Sequence, residues 1–235
     1  MADLGDTRSV GFFGKISSHG DFVSRRISPP VRAAWDNWMQ SSLEASRQKL
    51  HTGWLAIYLT SPIWRFALAP GLVDVNAWNG IMMPSVDRVG RYFPLMIGAE
   101  GASRGGLLDC LEHGKEWYDR LEELALSSLE SDFDFDRFET ALVAMPRMTT
   151  RSSNTAVDSG LAKGCSGFAV RWSSAGLTHL QAEVPDLTST VARALLAGHS
   201  VWWSDGSERV SPSVLVCKGL PKPATFIAML EGSAQ

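Results

Sequence analysis

The chain has 235 residues, enough for one large domain or two small ones, and for a core that needs no disulfide or metal to staple it. With 45% hydrophobic and 20% charged residues it has an ordinary globular composition, which excludes a disordered chain. Against 22 Lys and Arg stand 25 Asp and Glu, and the net charge of −3 excludes an overall electrostatic footprint for nucleic acid or anionic membrane.

The chain starts Met-Ala-Asp-Leu-Gly-Asp, acidic where a secretory signal would be basic, so no signal peptide is expected. Val10–Gly14 reads as an opening strand closed by a Gly-Lys turn, followed by a polar loop over Lys15–Arg26. Ser28-Pro29-Pro30 marks a helix start, a hydroxyl N-cap ahead of prolines whose missing N–H groups are not needed there. Val31, Trp35, Trp38, Leu43 and Leu50 continue at helical spacing. The most hydrophobic stretch, Trp54–Val73, is broken by Pro62, Arg65 and Pro70, short of the roughly 20 clean apolar residues of a membrane helix. Ile63–Ala69, Asn79–Val86 and Tyr92–Ala99 read as three strands joined by turns such as Pro70-Gly71 and Arg88-Val89-Gly90, an antiparallel meander.

Leu107, Leu111, Tyr118, Leu121 and Ala125 predict one long amphipathic helix, and Phe135 to Met145 a second that starts near Asp134 and stops at Pro146. Residues 146–164 are mostly polar, which suggests a functional or mobile loop and a possible subdomain boundary within 146–164. Gly167–Trp172 reads as a strand, and Leu187, Val191 and Leu195 as a helix capped by Asp186 and stopped at Gly198. Two strands, Ser200–Trp203 and Ser213–Cys217, and a closing helix from Pro223 to Leu230 complete the chain. The expected fold is α+β: a mixed, largely antiparallel sheet of about seven strands covered by helices in α/β/α layers, over 1–235 as a single domain. Cys110, Cys165 and Cys217 lie far apart beside apolar segments, which fits buried thiols in a reducing compartment rather than a disulfide framework. A cytoplasmic protein is expected.

Chemistry concentrates in two segments. Lys15-Ile16-Ser17-Ser18-His19-Gly20-Asp21 places an amine, hydroxyls, an imidazole and a carboxylate just after a strand. A Ser18–His19–Asp21 triad is geometrically poor, because neighbours in sequence point apart; local turn capping by Ser18 or Asp21 is the simpler reading. The second segment, Pro84 to Leu95, carries Ser85, Asp87, Arg88 and Arg91 around a tight turn, where Asp87 and Arg91 could pair with each other or with the first loop. If both segments converge on one polar pocket, His19, Asp21 and Asp87 would suit a hydrolytic base, and Arg88 and Arg91 an anion clamp. No metal-ligand spacing, P-loop or nucleophile elbow supports a cofactor, and none is expected. Trp35, Trp38, Trp117 and Trp172 read as core anchors; exposure of Trp54, Trp64, Trp78, Trp202 or Trp203 would signal a protein-binding surface.

Gly11-Phe12-Phe13-Gly14-Lys15-Ile16-Ser17-Ser18-His19-Gly20-Asp21-Phe22-Val23-Ser24-Arg25-Arg26 resembles the opening signature of the TagF (ImpM) family of bacterial type VI secretion loci. The resemblance continues through Trp35-Asp36-x-Trp38, Pro62-x-Trp64-Arg65-Phe66, Pro84-Ser85-Val86-Asp87-Arg88-Val89-Gly90-Arg91-x-Phe93-Pro94-Leu95, Val201-Trp202-Trp203 and Gly219-Leu220-Pro221. It is dense over residues 10–100 and patchy beyond. It implies a cytoplasmic, post-translational repressor of type VI secretion assembly in the threonine-phosphorylation branch of control, with a forkhead-associated-domain scaffold protein as partner. Some relatives carry a fused phosphatase domain, which a chain ending at Gln235 is expected to lack. The family supplies no active site to carry over, so Lys15, Ser18, His19, Asp21, Ser85, Asp87, Arg88 and Arg91 stand as motif residues without a role. The leading expectation is a regulator that binds a partner protein; the alternative is a hydrolase or anion-binding sensor using a pocket of His19, Asp21, Asp87 and Arg91.

Overall fold

A computed structural model describes residues 9–101, 107–146, 148, 192 and 195–232. Its strands are β1 (Gly11–Gly14), β2 (Val23–Arg25), β3 (Trp64–Leu68), β4 (Trp78–Met83), β5 (Leu95–Glu100), β6 (His199–Ser204) and β7 (Ser213–Lys218). They form one sheet in the order β2-β1-β5-β4-β3-β6-β7. Every pairing among the described residues is antiparallel, so the expected parallel component of a mixed sheet is not seen there. The helices are α1 (Pro29–Leu50), α2 (Trp54–Leu59), α3 (Leu107–His113), α4 (Lys115–Ser127), α5 (Phe135–Val143) and α6 (Pro223–Glu231).

The central strands β3, β4 and β5 are buried on both faces, which is why they read as unbroken apolar runs rather than as alternating ones. Phe12, Ala67, Ile81, Ile97, Val201 and Trp203 point to a layer built by α3, α4 and α5. Their immediate neighbours Phe13, Phe66, Met82, Met96 and Trp202 point the other way, to α1, α2 and α6. The result is the α+β fold in α/β/α layers that the order of elements predicts. Trp35 packs on Phe66 with ring centroids 5.1 Å apart, and Trp38 packs on Trp202 at 5.3 Å while its indole N–H reaches Pro221 O at 2.7 Å. Trp54, Trp64, Trp78, Trp202 and Trp203 are all buried, so these five tryptophans build core and do not mark an exposed surface.

Several elements depart from the sequence reading, each for a physical reason. The polar loop contains β2, whose three residues are drawn into the ladder by pairing with β1 at Phe12↔Arg25. The second and third meander strands shrink to β4 and β5 because the turn between them is wider than the Arg88-Val89-Gly90 tip. Helix α2 has no amphipathic signature; it forms because Trp54 and Tyr58, one turn apart, are both buried, Trp54 donating to Ser46 on α1 and Tyr58 to Ser85 O. Ser28 stands at the N-cap of α1, but its hydroxyl makes no capping bond and is buried without a partner among the described residues. Pro29 and Pro30 have removed N–H groups that it would cap. Asp134, in contrast, caps α5 by accepting the Arg137 N–H at 2.9 Å. The boundary and loop expected over 146–164, and the elements expected over 167–191, fall outside the described residues apart from Pro146 and Met148.

The expected long helix from Leu107 is two helices, broken at Gly114, whose φ of −88° and ψ of −2° lie off the average helical values. A side chain there would place its Cβ 2.4 Å from Cys110 O and 2.8 Å from the Tyr118 ring. On helix propensity alone, Gly→Ala stabilises by about 1 kcal/mol. Here overpacking against a backbone carbonyl, at about 1–3 kcal/mol, wins. Gly114→Ala is therefore expected to lower stability in urea unfolding, and a rise in the transition midpoint would show that the break is not sterically enforced.

A charge inside the apolar sheet is the other feature of the fold. Arg65, on β3 between two buried neighbours, sends its guanidinium to Glu122 (Nε–Oε1 2.6 Å, Nη2–Oε2 3.1 Å), Asp119 (3.1 Å) and Asp205 (3.1 Å). One cation thereby ties β3 to α4 and to the loop after β6. The two-pronged grip on Glu122 is one that a lysine could not reproduce.

Candidate functional site

The two motif segments meet, as their chemistry suggested. Loop 15–22 leaves β1 and lies against the turn that runs from β4 toward β5. At Gly14 the chain takes φ +145° with its Cα so close to β5 that a Cβ would sit 2.2 Å from Pro94 O, so only glycine lets the loop start there. The turn closes through Gly90 N–H to Asp87 O and Asp87 N–H to Arg91 O, both at 3.0 Å, and is fastened to the loop by Arg88 N–H to His19 O at 2.9 Å.

Asp87 is the centre of this arrangement. It is buried, and its carboxylate accepts from four donors: Lys15 Nζ, Arg91 Nε (2.8 Å), Arg91 N–H (2.9 Å) and Val89 N–H (3.0 Å). Burial by itself would raise the Asp87 carboxyl. The bonds from Lys15, from Arg91 and from Val89 together outweigh it and hold the carboxyl well below the usual carboxylate range. Asp87 and Arg91 thus pair both with each other and with the first loop, since Arg91 also donates through Nη2 to Gly20 O.

Ser85 is buried beside this knot and does backbone work: its hydroxyl donates to Lys15 O at 2.8 Å, and its N–H donates to Tyr58 Oη at 3.0 Å. Tyr58 in turn donates to Ser85 O at 3.0 Å. Burial pushes the Tyr58 phenol well above its ordinary value, and the Ser85 N–H that donates to its oxygen offsets only part of this, so the hydroxyl stays protonated and donating.

The remaining motif residues lie at the surface. Ser18 Oγ and His19 Nδ1 are 2.9 Å apart, and the imidazole rests on the Phe135 ring with centroids 4.3 Å apart. Asp21 is exposed; its Oδ1 accepts the Phe22 N–H at 2.8 Å and lies 3.8 Å from Arg91 Nη2. That is a local turn contact, and among the described residues no hydrogen bond joins Asp21 to His19. Arg88 is exposed, with its guanidinium over Gly20. The chemistry available is accordingly divided: a saturated carboxylate, ionised at neutral pH, inside, and guanidinium and imidazole groups outside. Among the described residues no three His, Cys, Asp or Glu side chains converge on a point a metal ion could occupy. Cys110 is no better placed as a nucleophile, because burial first and the Asp109 charge second push its thiol up to about 12.

Three contributors to the site were not singled out from the sequence. Tyr58 lies 27 residues from Ser85, and nothing in its apolar segment marks a polar task. Glu139 on α5 binds Arg26 at 2.9 Å and Arg25 at 3.5 Å, tying the end of the motif to the far helix layer. Phe22 stacks on Phe13 at 5.6 Å and meets Phe93 edge-on at 4.8 Å, with Lys15 Nζ 4.7 Å from its ring centre. Only an aromatic in an otherwise polar loop hinted at it.

Removing the Asp87 carboxylate leaves Lys15 buried without its counterion, so Asp87→Ala is expected to lower Tm by roughly 10 °C. A melt unchanged within error would contradict the buried network. The pH dependence has a definite sign. The folded pKa lies below the unfolded value of about 3.9, so the network contributes in full above about pH 5 and is lost as the pH falls below about 4. The Tm difference between wild type and Asp87→Asn is expected to be flat from about pH 7 to 5 and to shrink on further acidification; a constant difference down to about pH 2 would show that the carboxylate is not the group that matters.

A profile of the TagF N-terminal domain, described as type VI secretion system-associated, matches residues 11–145. The crystal structure of PA0076 from Pseudomonas aeruginosa PAO1 superposes with a TM-score of 0.82 at 35% sequence identity, over 97% of this chain and 96% of that one. A comparison with curated proteins finds no match. The profile spans both motif segments and the helices that pack against them, more than half of the chain. This chain belongs to the TagF family of type VI secretion system-associated proteins.

Proposed function

We propose that this protein represses type VI secretion assembly after translation, by binding a partner protein in the cytoplasm within the threonine-phosphorylation branch of control, and that a forkhead-associated-domain scaffold is such a partner. We read the chain as one TagF-like domain. Family membership supplies the secretion system, and among the described residues no helix is long and apolar enough to cross a membrane. The observation that carries a binding role is the arrangement of the motif charges. Lys15, Asp87 and Arg91 close on one another, so the motif holds a surface in shape instead of presenting reactive groups. A hydrolase on His19, Asp21 and Asp87 would need Asp87 to take a proton, and its four donors weigh against that.

Overproduction of the protein in a secreting strain tests this reading. Secreted substrate is expected to fall severalfold while the abundance of the secretion components stays constant. A parallel fall of those components would place the control before translation, and unchanged secretion would refute repression. Affinity capture from the same cells is expected to retain secretion-system proteins, the forkhead-associated scaffold among them.

A further inference from the structure

The motif knot leaves one part of itself outside, and that part has the make-up of a docking surface. Phe22 is 43% exposed although its ring is fixed by Phe13, Phe93 and Lys15. A large aromatic that is immobile before binding loses little entropy on contact, which is the property of an interface anchor. Val89, at the tip of the turn, is 64% exposed, and its backbone N–H is already committed to Asp87. Two guanidinium groups accompany this apolar pair. Arg88 meets no acceptor among the described residues. Arg91 is more than half exposed, with Nε on Asp87 and Nη2 on Gly20 O, and its Nη1 meets no acceptor among the described residues.

The charge balance selects the partner. Lys15 and Arg91 share the single buried charge of Asp87, and the only other carboxylate near Arg88 and Arg91 among the described residues is Asp21, which stands 3.8 Å from Arg91 and is largely solvated. The surface is therefore cationic on a chain whose net charge is −3. Guanidinium groups beside a rigid aromatic match carboxylates flanking an apolar side chain. We propose that Phe22, Val89, Arg88 and Arg91 form a docking surface for an acidic segment of a partner protein, with carboxylates on the arginines and an apolar residue against Phe22 and Val89. This rests on the partner-binding reading above and names the chemistry of that partner.

The test uses the full chain and a fluorescein-labelled peptide with Asp and Glu on both sides of one Leu, followed by anisotropy. A second peptide carries Asn and Gln in place of the acids, and a third is that neutral peptide with one phosphothreonine. Arg88→Glu and Val89→Glu alter exposed side chains outside the Asp87 knot, so their Tm is expected to match wild type. Wild type is expected to bind the acidic peptide roughly tenfold more tightly than the neutral one, and each variant to lose about the same factor. Equal binding of the acidic peptide by wild type and Arg88→Glu would overturn the proposal, and so would tighter binding of the phosphothreonine peptide than of the acidic one. In cells, loss of repression by the folded Arg88→Glu protein would support the surface. Normal repression by that variant would overturn the surface while leaving the repressor reading intact. If wild type itself fails to repress, that reading falls, and the peptide measurements still decide the surface.

Discussion

One buried carboxylate organises the part of this molecule that its sequence marks most densely. Asp87 takes two side-chain cations and two backbone N–H groups at once, and its donors come from two segments some seventy residues apart in the chain. Lys15 brings the loop that leaves β1; Arg91 and Val89 bring the turn between β4 and β5. A buried ion pair contributes little net stability compared with a well-packed apolar substitute, because desolvation offsets most of the attraction. Its effect here is on geometry. With all lone pairs of Asp87 engaged, any other arrangement of loop and turn strands a buried charge, so one arrangement dominates.

The same logic operates at Arg65, which sits in the middle of the sheet with three carboxylates around it. The Arg65 cluster fixes the sheet to α4, and the Asp87 knot fixes the loop after β1 to the turn between β4 and β5, at places where apolar packing alone would tolerate sliding. Large rings fill the rest: Trp35, Phe66 and Trp202 on one face, Phe12, Phe135 and Phe138 on the other. Apolar packing holds the layers together, and the paired charges set their register.

This division changes how the motif should be read. Residues that look like a catalytic inventory in one dimension sort into interior and exterior groups in three. Lys15, Ser85 and Asp87 are consumed by structure, while Phe22, Arg88 and Val89 are displayed by it. A rigid displayed surface suits recognition of a partner, and the family's association with a secretion machine supplies the setting for it.

The sequence by itself determined the class of the fold and the position of most elements, because those depend on local patterns. The helical spacing after Ser28, the apolar runs of the central strands and the turn at Arg88-Val89-Gly90 are short-range signals, and the long motifs carried the family. Tertiary structure decided what short-range signals cannot contain. The register that brings β2 onto β1, the approach of Cys110 O that leaves no room for a side chain at Gly114, and the burial of the tryptophans all depend on groups far apart in the chain or on a close approach that no periodicity encodes. For the site, the sequence supplied its residue types and even the Asp87–Arg91 pair. It could not supply burial, and burial is what separates a base from a saturated counterion: the same carboxylate reacts when it faces water and becomes a fixed structural charge when Lys15, Arg91 and Val89 close around it.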